Sequence, residues 1–156
     1  MTKIDQISQD VKILRERLVE KIPGHFGTKH IVTAFFGALF FGFTFVLKGL
    51  LFEIGLALNT KHLILIILAT LLTLTLEIYF VGYTRVTDKK QRPFGQFWLK
   101  RITTYYLIAM FTSILLLSLY GVMILVAEPF DIFRLTIAIS YPAAVGAATS
   151  DLLGKY

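Results

Sequence analysis

Cysteine is absent from this 156-residue chain. That removes disulfide bonds, thiolate metal ligands and thiol redox chemistry together. Charge is scarce too: 17% of the residues are Asp, Glu, Lys or Arg, against 56% hydrophobic, which leaves too little polar material for a large soluble domain. A Gly-rich phosphate loop, HExxH and GxSxG are all missing, so the chain is read as non-enzymatic. His25, His30 and His62 have no companion cysteine, and neither a metal nor another cofactor is expected.

Long apolar runs take up the space instead. Ile31–Ile54, Leu63–Tyr83, Ile102–Ala127 and Ile132–Leu153 each reach the ~20 residues that a helix needs to cross a bilayer's hydrocarbon core. The expected fold is all-α: four transmembrane helices in one domain over residues 25–156, preceded by a cytoplasmic amphipathic helix and linker over 1–24. The first run follows a polar, charge-rich segment and is longer than a signal-peptide core, so it is expected to stay in the mature protein.

A net charge of +6 fits membrane orientation better than nucleic acid, because the basic residues are placed unevenly about the spans. Lys3, Lys12, Arg15, Arg17, Lys21 and Lys29 precede the first, and Arg85, Lys89, Lys90, Arg92, Lys100 and Arg101 lie between the second and third. Lys61 and Arg134 alone represent the other two loops. Both termini and the central loop are therefore expected in the cytoplasm of a multi-pass plasma-membrane protein. Phe94, Phe97 and Trp98 read as an aromatic anchor at the entrance to the third span.

Ile4, Ile7, Val11, Leu14 and Leu18 recur at three-four spacing, and Pro23-Gly24 ends the pattern. A seam of this kind gathers parallel helices into a coiled coil, and with Ile4 at an a position Asp10 falls at g and Arg15 at the next e. The alternative is an amphipathic helix lying on the inner leaflet.

Within the spans, Glu77 stands out, since ionisable groups at membrane depth are costly and face protein or water. Thr70, Thr73, Glu77 and Thr84 share a helical face, and Tyr105, Tyr106 or Arg101 at similar depth could satisfy the carboxyl. Lys48 also falls inside an apolar run and is expected to snorkel outward. The fourth span is built from small residues, and Ala143 with Ala147 and Gly146 with Ser150 make small-xxx-small pairs suited to close helix contact. Pro142 leaves the Ala138 carbonyl without its helical donor. Thr136, Ser140, Ala144, Ala147 and Asp151 fall on one face, and in an oligomer Ser140, Ala144 and Asp151 could line a cation path. Tight packing with a solvated Asp151 is the alternative. Glu53, Glu128 and Asp131 near the outer ends could attract cations, or be solvated loop charges.

The elements His30-Ile31-Val32 through Phe41-Gly42, Glu77-Ile78-Tyr79-Phe80, Lys100-Arg101, and Tyr141-Pro142-Ala143-Ala144 through Ala148 resemble an uncharacterised family of small prokaryotic integral membrane proteins. The resemblance implies a multi-span membrane protein and supplies no chemistry. The residues themselves favour a homo-oligomeric cation channel, joined through Ile4, Ile7, Val11, Leu14, Leu18, Ala143, Gly146 and Ala147, with Ser140, Ala144 and Asp151 on the path and Glu77 behind it. A non-conducting adaptor that recruits a partner through the N-terminal helix is the second reading, and a small transporter working through Glu77 the third. The expected partners are the lipid bilayer, further copies of the chain and an inorganic cation, with no nucleic acid.

Overall fold

The computed structural model describes residues 9, 11, 27–85, 94–126 and 128–153. Ile4, Ile7, Leu14 and Leu18 of the heptad-like seam lie outside the described residues, as do Lys89, Lys90 and Arg92 of the central loop. Along the chain run α1 (Thr28–Val46), α2 (Gly49–Ala57), α3 (Thr60–Glu77), a π-helical turn (Ile78–Gly82), a 3-10 turn (Tyr83–Arg85), α4 (Phe94–Leu119), the single-turn α5 (Val122–Leu125) and α6 (Pro129–Leu153). Among the described residues every regular element is helical. Four stretches, Thr28–Val46, Thr60–Gly82, Phe94–Leu119 and Pro129–Leu153, are long and apolar enough to cross a membrane.

Two boundaries differ from those expected. The first apolar run is not one helix: α1 stops at Val46, and Lys48 takes an extended conformation (φ −85°, ψ 101°) before α2 begins at Gly49. The exposed Lys48 marks a corner rather than a rung of the first span, where glycine is a poor helix former and the ammonium is drawn away from apolar neighbours. The third span starts earlier and ends earlier than Ile102–Ala127. Phe94, Phe97 and Trp98 are already helical because their rings pack onto the core beside Ile78, Ile102 and Leu152. At the far end Gly121 adopts φ 69°, a left-handed conformation that glycine accepts without steric penalty, and its amide bonds the Ser118 carbonyl at 3.0 Å.

The centre of the bundle is α6. In its most apolar window 67% of residues are buried, against 17% for α3, and α1, α3 and α4 each pack on it. Small side chains are the reason. A Cβ on Gly37 of α1 would fall 2.3 Å from the Gly146 carbonyl oxygen, and one on Gly146 would fall 2.5 Å from that of Gly37, so the two backbones touch as only glycine allows. Ala34, Ala38, Ala143, Ala144, Ala147 and Ala148 are fully buried around this contact. The large apolar residues point the other way: Phe36, Phe40, Leu65, Leu68, Leu72, Leu107 and Phe111 are exposed. That arrangement suits lipid as the solvent, because helix association there rests on close packing rather than on hiding grease from water.

His30 at the start of α1, Arg101 near the start of α4 and Asp151 at the end of α6 share one end of the bundle, here the Asp151 end. At the opposite end, Leu117, Val126, Leu135 and Ile139 form a second apolar cluster with Phe52 and Leu56 of α2 against it. Arg134 organises that end: its guanidinium lies 2.8 Å from Asp131, donates to the Leu56 carbonyl at 3.2 Å and sits 4.5 Å over the Phe130 ring. Leu56 belongs to the last turn of α2, whose carbonyls have no partner within the helix, so Arg134 supplies a cap.

Candidate functional site

Most hydroxyls in the spans turn back on their own helix. Thr70 bonds the Ile66 carbonyl at 2.7 Å, Ser113 that of Ala109 at 2.7 Å, Thr136 that of Ile132 at 2.8 Å and Ser140 that of Ile137 at 2.8 Å. These bonds satisfy the hydroxyl inside an apolar setting without help from another helix. Arg134 aside, side chains that reach between helices concentrate toward the Asp151 end.

There, Asp151 is 2% exposed, and each of its oxygens has a partner on a different helix. His30 Nδ1 lies 2.6 Å from Oδ1, and the Tyr105 hydroxyl donates to Oδ2 at 2.5 Å. The start of α1 and the first half of α4 are thereby tied to the end of α6 through one carboxylate. One turn before Tyr105, Arg101 is 3% exposed and its guanidinium carbon sits 4.0 Å above the Phe97 ring. The same guanidinium rests where Gly82 has no side chain: a Cβ there would meet Arg101 Nη1 at 3.3 Å and Leu152 Cδ2 at 3.0 Å.

Glu77 enters this region from α3. Thr149 of α6 donates to its Oε1 at a long 3.4 Å, whereas Oε2 is buried and has no hydrogen-bond partner among the described residues. Thr149 stands two residues before Asp151 on α6, so the two carboxyls approach the same end of that helix in unlike states: Asp151 bonded through both oxygens, Glu77 through one. Immediately after Glu77 the helix widens into the π turn, a feature that often marks functional positions. Its slipped register also answers for Thr84. Thr70 and Glu77 face the bundle as the shared-face reading expects, but Thr84 beyond the π turn is exposed and bonds the Phe80 carbonyl at 2.6 Å.

The residues named from sequence are thus distributed as follows. Ser140 and Ala144 are buried inside the chain, with the Ser140 hydroxyl bonded to the Ile137 carbonyl. Ala143, Gly146 and Ala147 pack against the chain's own core, Gly146 directly on Gly37. Asp151 and Glu77 come together at one end. Val11 of the seam is exposed. At the other end Glu53 and Glu128 are exposed, and Asp131 is paired with Arg134. His30 was missed as a site residue; the available clue was that an even number of spans returns Asp151 to the side where His30 begins the first.

This architecture, three apolar spans closed around a fourth built from small residues with a polar cluster inside one end, defines a polytopic integral membrane protein. The chain belongs to the family described as "Putative integral membrane protein (DUF2391)", whose profile matches residues 8–153, as the resemblance in the sequence implies. The match takes in part of the heptad-like segment, further toward the N-terminus than the elements that carry the resemblance. Neither the curated proteins nor the solved structures include a match to it.

Proposed function

We propose that this protein translocates a small cation, the proton being the simplest, by binding it at Glu77 within each chain. One observation carries the reading: Glu77 Oε2 is buried and has no hydrogen-bond partner among the described residues, at the end of the bundle where a second carboxyl has both oxygens bonded. Intramembrane carboxyls mark ion pathways and proton relays, and leaving one half satisfied is costly unless something else occupies it. The site lies between helices of one chain, which favours a carrier exposing Glu77 to each side in turn over a pore lined by Ser140, Ala144 and Asp151 at an axis between chains.

Uneven basic charge supports placing the Asp151 end in the cytoplasm of the plasma membrane. The seam from Ile4 to Leu18 supports a homo-oligomer in which each copy keeps its own site.

The test is flux. Purified protein in liposomes with a pH- or ion-sensitive dye inside should dissipate an imposed cation gradient, and Glu77→Gln should reduce the rate at least tenfold while Ser118→Ala, at an exposed position, leaves it unchanged. Folded wild-type protein that leaves liposomes impermeable to protons, sodium and potassium overturns the proposal.

A further inference from the structure

The helices are not held together evenly. Between α1 and α6 the backbones touch at Gly37 and Gly146, and α1, α4 and α6 are joined at the Asp151 end by His30, Asp151 and Tyr105. By contrast, α3 and the π turn meet this frame along one face only, where Leu63, Thr70, Leu74 and Ile78 are buried. The bonds of α3 to the frame include a long one, 3.4 Å from Thr149 to Glu77, and one of 2.9 Å from Trp98 Nε1 to Thr75; Tyr79 and Tyr83 pack on Phe94 and Phe97, and Gly82 offers a side-chain-free surface to Leu152, Arg101 and Phe97. Its outer face, with Leu65, Leu68, Leu72, Leu76 and Phe80 exposed, is turned to lipid. A π turn sits between Glu77 and this glycine contact.

We infer that α3 is the moving wall of the carrier: it shifts against a fixed frame of α1, α4 and α6, pivoting at Ile78–Gly82, and so carries Glu77 between the two sides. The inference rests on the translocation reading for its purpose, while its mechanical content stands by itself. A π turn accommodates one residue more than the α register, so tightening it to α rotates the following residues by about 100° and replaces Gly82 at the Leu152–Arg101 contact with a residue bearing a side chain. Gly82 makes this contact smooth. A methyl there lies within 3.0–3.4 Å of Leu152, Arg101 and Phe97, so Gly82→Ala should wedge the pivot.

Two measurements, neither of which needs flux, decide the matter. Amide hydrogen exchange of the full-length protein in lipid nanodiscs should be at least tenfold faster over residues 74–82 than over residues 143–151. Because the chain has no cysteine, Thr73→Cys gives a single reporter, and in sealed, oriented vesicles a membrane-impermeant maleimide should label it from both sides. Adding Gly82→Ala should slow labelling from one side at least tenfold while leaving the other side unchanged. Equal exchange protection in α3 and α6 overturns the inference, and so does labelling from both sides at undiminished rates in Gly82→Ala. If these results are positive but liposomes carry no flux, the translocation reading alone falls. If flux is present but both mechanical tests fail, only the moving wall is lost.

Discussion

The imidazole of His30 and the carboxylate of Asp151, separated by 121 positions in the chain, meet at 2.6 Å where the first membrane helix begins and the last one ends. The pair closes the bundle at that end, and Tyr105 completes it from a third helix at 2.5 Å. A carboxylate this deeply buried is tolerable because both oxygens are bonded; without its partners it would be costly.

Removing the carboxylate should therefore do more harm than removing either partner. Asp151→Ala takes away the bonds to His30 and to Tyr105 at once, and the expected loss is about 3–5 kcal/mol. Tyr105→Phe, which keeps the ring in place and deletes one bond to the carboxylate, should cost about 1.5–3 kcal/mol. Reversible unfolding in mixed micelles measures both, and an Asp151→Ala variant as stable as wild type contradicts this account of the cluster.

The glycines separate by position. Gly37→Ala places a methyl 2.3 Å from a backbone oxygen, which no rotamer change can relieve, so it should destabilise by at least about 1–3 kcal/mol. Gly95→Ala meets nothing within 4 Å among the described residues and removes a flexible residue from a helix, with an expected gain of about 0.5–1 kcal/mol. The same unfolding assay should place the two variants on opposite sides of wild type.

At the other end, Arg134→Ala removes the Asp131 pair, the cap on α2 and the contact with Phe130. The pair is partly exposed, so the global loss should be about 1 kcal/mol or less. The local effect should be larger: amide exchange over residues 53–59 should quicken while that of α6 is unchanged. Uniform quickening throughout would show that Arg134 supports the whole bundle instead.

Deleting Met1–Lys21 tests the proposed seam. Native mass spectrometry from detergent should show the full chain as an oligomer and the shortened chain as a smaller species, with the helical content of the membrane part retained. An unchanged oligomer would put the contact between copies elsewhere.

The spans were legible because hydrocarbon imposes a length and a composition that few other structures satisfy. Their ends were less so. Nothing local distinguishes the apolar run through Phe45, Leu47 and Leu51 from a continuous helix, and only Lys48-Gly49 hinted at the corner. Glu77 and Asp151 could each be singled out as ionisable groups in apolar segments. Their environments could not, because the partners come from distant positions: Tyr105 lies 46 residues from Asp151 and Thr149 lies 72 from Glu77. The small residues of α6 announced close contact without naming the partner, and Gly37 of the same chain occupies the place. The π turn left no signature at all in the residue pattern, and it moved Thr84 off the shared face.

That the helix at the centre is the last of the four to be synthesised constrains how the molecule is made. While α1, α3 and α4 are entering the bilayer, the surface on which each will settle does not yet exist, and α1 and α3 have little to offer one another. The early helices must wait, wrapped in lipid or held by the insertion machinery, with Glu77, Arg101 and His30 lacking their final surroundings. Insertion of α6 supplies the missing glycine, the missing carboxylate and the missing threonine in a single event, so the bundle can close only once that helix has joined the other three.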